Sequence, residues 1–339
     1  MTSLPTIWIA FFLCAALIAF GGMLLSRYGD VIAHKTGMSG SWIGLVLLAT
    51  VTSLPELVTG ASAVTLANEP NIAVGNIFGS CVFNLAALAV VDFLYRKEPI
   101  YRRASQNHIL SAAFGTVMIG FTASSILLGH QLSTFSLAHT GIYAPFIVLL
   151  YVLAIRTVFF HEKNTATAVK IEQQTIRYAD ITLQQAIRRY AAAAVVVVGA
   201  GIGLPFVAVQ LAEAMGWHKT FVGTLLVAGV TTLPELTATI AALRIGAVDM
   251  AIANLLGSNL FNMQILVIDD LLFLKGPILS HVSSMHVASA MSAVIMSGVV
   301  IIGLLYRPAS RLFRTVGWIS IGLFTVYLLN ATALYLYGE

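Results

Sequence analysis

The sequence predicts an all-α membrane protein with ten transmembrane helices arranged as two inverted five-helix repeats. Three observations carry that prediction. First, 58% of the 339 residues are hydrophobic and 9% are charged, with a mean hydropathy of +0.90, whereas a soluble domain is about 25% charged. So few charges cannot cover a water-facing surface. Second, the apolar runs are about 20 residues long, the length of a spanning helix, rather than the ~10 residues of alternating polarity of a barrel strand. Third, a polar motif recurs inside two of those runs, 179 residues apart.

Taken in order, the spans are expected at 6–26, 39–66, 71–94, 108–129, 141–160, 190–211, 219–245, 249–273, 285–305 and 313–336. The first lacks a basic leader and reads as a span rather than a cleaved signal. The longest polar interval, 161–189, reads as a solvated cytoplasmic linker. It divides an N-terminal repeat, 1–160, from a C-terminal repeat, 190–339. With ten spans, sixteen of the eighteen Lys and Arg fall on one side, leaving Lys219 and Lys275 on the other. The positive-inside rule makes the rich side cytoplasmic, puts both termini outside, and places the protein in a cell (inner) membrane. The net charge of +4 is explained by this distribution and does not point to nucleic acid. Cys14 and Cys81 match no metal or disulfide spacing.

The repeat is made of polar residues. Thr52-Ser53-Leu54-Pro55-Glu56 matches Thr231-Thr232-Leu233-Pro234-Glu235, with Gly37, Gly44 and Val51 matching Gly216, Gly223 and Val230. After the next loop the offset is 178, and Asn76-x-x-Gly79-Ser80-x-x-Phe83-Asn84 matches Asn254-x-x-Gly257-Ser258-x-x-Phe261-Asn262. An odd number of spans per half makes equivalent helices run in opposite directions, and such repeats hold their site near the midplane.

Each motif assembles oxygen. Proline has no N–H, so Pro55 and Pro234 leave the carbonyls of Val51 and Val230 without a helical donor. A free carbonyl at membrane depth must be satisfied by protein, water or an ion. Thr52 and Thr231 stand four residues before the glutamates, on the same helix face. Ser53 and Thr232 add hydroxyls, and Ser80 with Asn84, like Ser258 with Asn262, share a face at i, i+4. A carboxylate at the bilayer centre costs roughly 2.5–3.5 kcal/mol on insertion scales, and here it is repeated. The oxygen set suits a hard cation such as Na⁺ or Ca²⁺, and the motifs hold no His or Cys for Zn²⁺, Cu or Fe.

Other polar residues read as structural. Asn76 and Asn254 are expected to cap or bridge helices. Asp92, Asp269 and Asp270 are expected as solvated charge at span ends, the eight histidines as interfacial residues, Gly79 and Gly257 as points of close helix approach, and Gly199-x-x-x-Gly203 as a packing motif.

The stretches ATVTSLPELVTG…AVGNIFGSCVFN and AGVTTLPELTAT…AIANLLGSNLFN resemble the alpha repeats of the cation/calcium exchanger superfamily, within it the prokaryotic sodium/calcium exchangers. The resemblance implies Ca²⁺ and Na⁺ as transported ions, with no organic cofactor. It implies Glu56 and Glu235 as central ligands, oxygens from Thr52, Ser53, Thr231, Thr232, Ser80 and Ser258, and completion by Asn84 and Asn262. It also implies that the first and sixth helices move against the other eight. Three departures stand out. Val51 and Val230 replace the glycine before the motif, Thr232 replaces a serine, and Asn262 stands where many of these exchangers have aspartate.

The expected function is a Na⁺/Ca²⁺ antiporter, not an enzyme, for which a monomer in a lipid bilayer suffices. The alternative is an antiporter of Ca²⁺ or another divalent cation against H⁺, using the same glutamates. A membrane hydrolase lacks a His or Lys base beside Ser80 or Ser258 and has no H-E-x-x-H motif. Paired acids at a closed midplane suit occlusion better than a channel.

Overall fold

The computed structural model describes residues 3–36, 49–96, 98–128, 136–165, 180–308 and 317–338. Several expectations lie outside the described residues: the start of the second span with Gly37 and Gly44, residues 166–179 of the polar linker, His130, Arg311 and Arg314.

The chain is built from helices. α1 (Leu4–Lys35) is followed, after residues 49–52, by α2 (Leu54–Thr65) and α3 (Pro70–Leu94). α4 (His108–Leu127) and a two-residue hairpin, β1 (Ser136–Leu137) with β2 (Thr140–Gly141), lead to α5 (Tyr143–Thr165). The second half runs α6 (Leu183–Met215), α7 (Lys219–Thr231), α8 (Leu233–Arg244), α9 (Val248–Leu272), α10 (His286–Tyr306) and α11 (Trp318–Tyr337). Among the described residues seven helices are long and apolar enough to cross a membrane, and α7 with α8 are so taken together, with a 41° bend between them. The chain is therefore a multi-pass, all-helical membrane protein.

The sequence explains the breaks. Both broken spans interrupt one residue before Leu-Pro, at Ser53 and at Thr232, where the proline removes a rung of the helical ladder. α7 also contains a π-helical stretch, Val222–Val227. α6 starts on a capping box: Gln185 N–H donates to Thr182 Oγ1, and Thr182 N–H donates to Gln185 Oε1, both at 3.2 Å.

α3 and α9 are the most enclosed spans, 78% and 72% buried, while the flanking α1 and α11 are 28% buried. On α1, Ile9, Phe12, Leu13 and Phe20 face outward, as lipid contact requires. Three expectations about packing fail. Gly79 does permit close approach, since a Cβ there would lie 2.1 Å from the Thr224 carbonyl oxygen, but one at Gly257 would meet Ala49 Cβ at an ordinary 3.5 Å. Among the described residues no atom lies within 4 Å of the would-be Cβ of Gly199 and Gly203 meets only Cys14 Sγ at 4.0 Å, while Gly201 packs on Val58 and Thr59.

The second failure concerns charge. Asp92, Asp269 and Asp270 are fully buried rather than solvated. Asp92 accepts from Ile100 N–H at 3.1 Å, Gly317 N–H at 3.2 Å and Ser320 O–H at 2.8 Å. Asp270 accepts from Ile278 N–H at 2.7 Å, Gly141 N–H at 2.9 Å and Tyr143 O–H at 2.7 Å. Each acid ties the turn after its own helix to a helix start in the opposite half. The third failure concerns histidine. His108 and His286 are buried, not interfacial; His108 Nε2 lies 3.0 Å from Asp249 Oδ1, and His286 Nε2 lies 3.1 Å from Asn71 Oδ1. The same two acceptors take Ser105 N–H at 2.7 Å and Ser283 N–H at 2.8 Å.

These contacts come in exchanged pairs. Adding 178 to His108 and subtracting it from Asp249 gives His286 and Asn71. The repeat read along the chain is thus also a relation between contacts in space.

Candidate ion-binding site

Ten residues were expected to form the site, and all ten are buried: Thr52, Ser53, Glu56, Ser80, Asn84, Thr231, Thr232, Glu235, Ser258 and Asn262. The helix breaks bring the two acids together. Ser53, at the first break, donates to Glu235 Oε1 at 2.9 Å, and Thr232, at the second, donates to Glu56 Oε1 at 3.3 Å. Each glutamate is therefore held by the motif of the other half. The hydroxyls of Thr52 and Thr231 donate elsewhere, Thr52 to the Ala49 carbonyl at 3.1 Å and Thr231 to Asn76 Oδ1 at 2.9 Å.

Around Glu56 the shell is closed further. Ser80 O–H donates to Glu56 Oε1 at 3.5 Å and lies 2.9 Å from Thr232 Oγ1, whose single O–H is shared with the Ala228 carbonyl at 2.7 Å. Among the described residues Ser258, its counterpart, has no partner for its hydroxyl, and Oε2 of both glutamates is also without one. Buried polar atoms are ordinarily hydrogen-bonded. These three unpartnered oxygens, from two acids and a hydroxyl, are of the type a hard cation takes, though fewer than its full shell of about six.

Asn84 and Asn262 are placed differently from the expectation. Their amides do not bond the carboxylates; they lock the crossing of α3 and α9. Asn84 Nδ2–H donates to Asn259 Oδ1 at 3.0 Å, and Asn262 Nδ2–H reaches Cys81 Sγ at 3.9 Å. The Oδ1 atoms of Asn84 and Asn262 are buried and unpartnered, so both remain available as oxygen ligands. Asn259 was not singled out from the sequence. It also donates to the Cys81 carbonyl at 3.2 Å and so fixes the crossing point. Its signal was the mismatch itself: Cys81 and Asn259 hold equivalent positions but differ in kind.

Asn76 and Asn254 act as bridges, as expected. Asn76 Nδ2–H donates to the Glu56 carbonyl at 3.3 Å, and Asn254 Nδ2–H donates to the Glu235 carbonyl at 3.2 Å. Each pins the backbone of a buried glutamate. Asn76 Oδ1 also accepts from Thr231 at 2.9 Å.

Discontinuous helices that turn acids and freed backbone toward a buried centre are the architecture of secondary transporters. The sodium/calcium exchanger protein family matches this chain over residues 6–154 and 190–333. The chain belongs to that family, within the cation/calcium exchanger superfamily, of prokaryotic type.

Individual relatives agree. The inner membrane protein YrbG of Escherichia coli is 25% identical over 263 residues, 75% of this chain and 78% of that protein. The putative antiporter CaxA of Alkalimonas amylolytica is 40% identical over 83 residues, 24% of this chain and 25% of that protein. Among solved structures, the H⁺/Ca²⁺ exchanger CAX superposes with a TM-score of 0.70 at 14% identity, over 98% of this chain and 86% of that one. The sodium-calcium exchanger NCX_Mj superposes with a TM-score of 0.62 at 22% identity, over 98% of this chain and 100% of that one. At these identities the likeness establishes the fold.

Proposed function

We propose that the protein exchanges Ca²⁺ for Na⁺ across a cell (inner) membrane by alternating access. It does so through ten spans in two inverted five-helix repeats, 1–160 and 190–339, joined by the linker 161–189, with both termini outside. Glu56 and Glu235 bind the ions, helped by oxygens of Thr52, Ser53, Ser80, Asn84, Thr231, Thr232, Ser258 and Asn262. The observation that carries this reading is the exchange of hydroxyls: Ser53 on Glu235 and Thr232 on Glu56. It puts one acid from each half at a single buried centre.

The electrostatics then supply the coupling. Two ionised carboxylates carry a charge of −2, which one Ca²⁺ or two Na⁺ neutralises. Closing the centre without an ion leaves unpaired charge in low dielectric, at several kcal/mol per ion. The loaded protein switches and the empty one does not, which is obligatory exchange. The test is Ca²⁺ uptake into proteoliposomes with a Na⁺ or a pH gradient imposed separately. Uptake driven by Na⁺ supports this reading. Uptake driven by the pH gradient alone supports the second reading, Ca²⁺/H⁺ exchange, which the fold likeness to an H⁺/Ca²⁺ exchanger favours.

A further inference from the structure

We propose that Asp269 is a proton-binding carboxyl on the extracytoplasmic route to the ion centre. The inference rests on the exchanger reading for the existence of that route.

Asp269 is fully buried on α9, and among the described residues neither carboxyl oxygen has a hydrogen-bond partner. It sits against the backbone of α2 at Gly60. A Cβ there would lie 2.4 Å from Asp269 Oδ2, 2.9 Å from Oδ1 and 3.0 Å from Cγ. Gly60 is four residues after Glu56, one turn along the same helix. Asp269 is seven residues after Asn262, two turns along the same face of α9. The carboxyl therefore lies just beyond the centre, toward the ends of α2 and α9 where the chain is poor in basic residues.

Among the described residues an ionised carboxylate in that place has no ion-pair or hydrogen-bond partner, and burial of an unpaired ion is costly. Asp270 beside it is taken up by Gly141, Tyr143 and Ile278. The other acidic groups on elements packed against α9 are Glu56, Glu235 and Asp92, with Cys81, Tyr101, Tyr143 and Tyr151 as weaker ones. The cationic groups Arg102, Arg103, His108 and Arg244 gather at the start of α9, about 30 Å from Asp269 at helical rise. Arg156 lies along α5 well away from Tyr143, whose hydroxyl marks the Asp270 end. His139 spends its Nε2 on the Leu271 carbonyl at 2.9 Å.

Two ions remain as neutralisers, a metal and a proton. A metal ion needs about six oxygens in its shell. Thr59, beside Gly60, offers one unpartnered hydroxyl, and the contact with Gly60 fills the space a hydrated ion would take. A proton needs no shell. The device is also one-sided: the equivalents of Gly60 and Asp269 are Thr239, bonded to Asn254 at 3.1 Å, and apolar Val91. The acid thus guards one route and not the other. Asp269 holds its proton while that route is dry and releases it when water enters.

The test pairs spectroscopy with flux on the full-length protein. In wild type, difference infrared spectra across a pH series show the carbonyl stretch of a protonated carboxyl. That band is lost in Asp269→Asn. External acidification slows Ca²⁺ uptake by wild type, by up to about tenfold per pH unit for a single-proton step. Asp269→Asn, fixed in the neutral form, runs at the acid-side rate at every pH. If Asp269→Asn fails to fold, Gly60→Ala reads the same group, because its Cβ meets the carboxyl and shifts the band. An unchanged band together with an unchanged pH profile overturns the proposal. A wild type that moves no Ca²⁺ under any gradient refutes the exchanger reading instead, while the band still decides the protonation of Asp269.

Discussion

The surroundings of Glu56 and Glu235 begin alike and end differently. Both acids follow a Leu-Pro break, both are held by hydroxyls of the opposite half, and both have their carbonyls pinned by an asparagine. Beyond that the shells diverge. Ser80 completes the first, while Ser258 is idle beside the second. Asn76 Oδ1 takes Thr231, while Asn254 Oδ1 has no partner. The outer helices differ too. Gly22 of α1 rests on Pro234, where its Cβ would come within 2.1 Å, but Gly201 of α6, the equivalent residue, meets Val58 and Thr59 one turn past Pro55.

The scaffold obeys the repeat, as the exchanged pairs at Asp92 and Asp270 and at His108 and His286 show. The centre and the helices that cross it do not. One half-site is closed and the other is short of partners among the described residues.

The comparison is broken most severely at the acids. Glu56→Gln and Glu235→Gln are each expected to reduce Ca²⁺ flux by more than about a hundredfold, since losing even an outer partner of a metal ligand costs 10–100-fold. Isotope uptake in proteoliposomes measures this, and normal flux in both variants would remove the site.

A smaller effect separates the equivalent glycines. Gly79→Ala drives a methyl into the Thr224 carbonyl and should destabilise the protein by about 1–3 kcal/mol. Gly257→Ala, with 3.5 Å to Ala49, should be near neutral. Thermal unfolding in detergent distinguishes them.

Next come the serines. Ser80→Ala removes bonds already made and should cost about 1 kcal/mol of stability without ions. Ser258→Ala removes none and should leave that stability unchanged, but weaken Ca²⁺ binding in a titration. Equal effects of the two would mean that the asymmetry has no energetic weight.

The smallest change is Asp249→Asn, which makes the His108 clamp chemically like that of Asn71 and His286. The side chain of Asp249 is 59% exposed, so the charge is screened. The melting temperature should reflect less than about 1 kcal/mol.

Much of this was legible in advance because membrane chemistry is severe. A glutamate, a proline and a free hydroxyl cannot sit in an apolar run without cause, and finding them twice marked the residues that the structure buries together. Asn76 and Asn254 were read correctly as bridges for the same reason. Asp92, Asp269 and Asp270 were misread because position along a span gives depth only approximately. A carboxylate near a helix end faces water or protein according to what folds over it. Here the turns at Ile100 and Ile278 and the helix starts at Gly317 and Gly141 fold over Asp92 and Asp270. The histidines failed similarly: His108 and His286 begin helices, but their partners lie across the repeat boundary.

The sequence by itself determined that the chain is a helical membrane protein, that its helices break at Ser53 and Thr232, and which oxygen-bearing residues are repeated. Those follow from solvation of the backbone in lipid and from proline's missing donor, both local. Tertiary structure decided which half's hydroxyl meets which half's carboxylate, that Asn84 and Asn262 lock a helix crossing, and that Asp269 presses on Gly60. These depend on the packing of segments far apart in the chain, where a shift of one helical turn exchanges one partner for another without altering a residue.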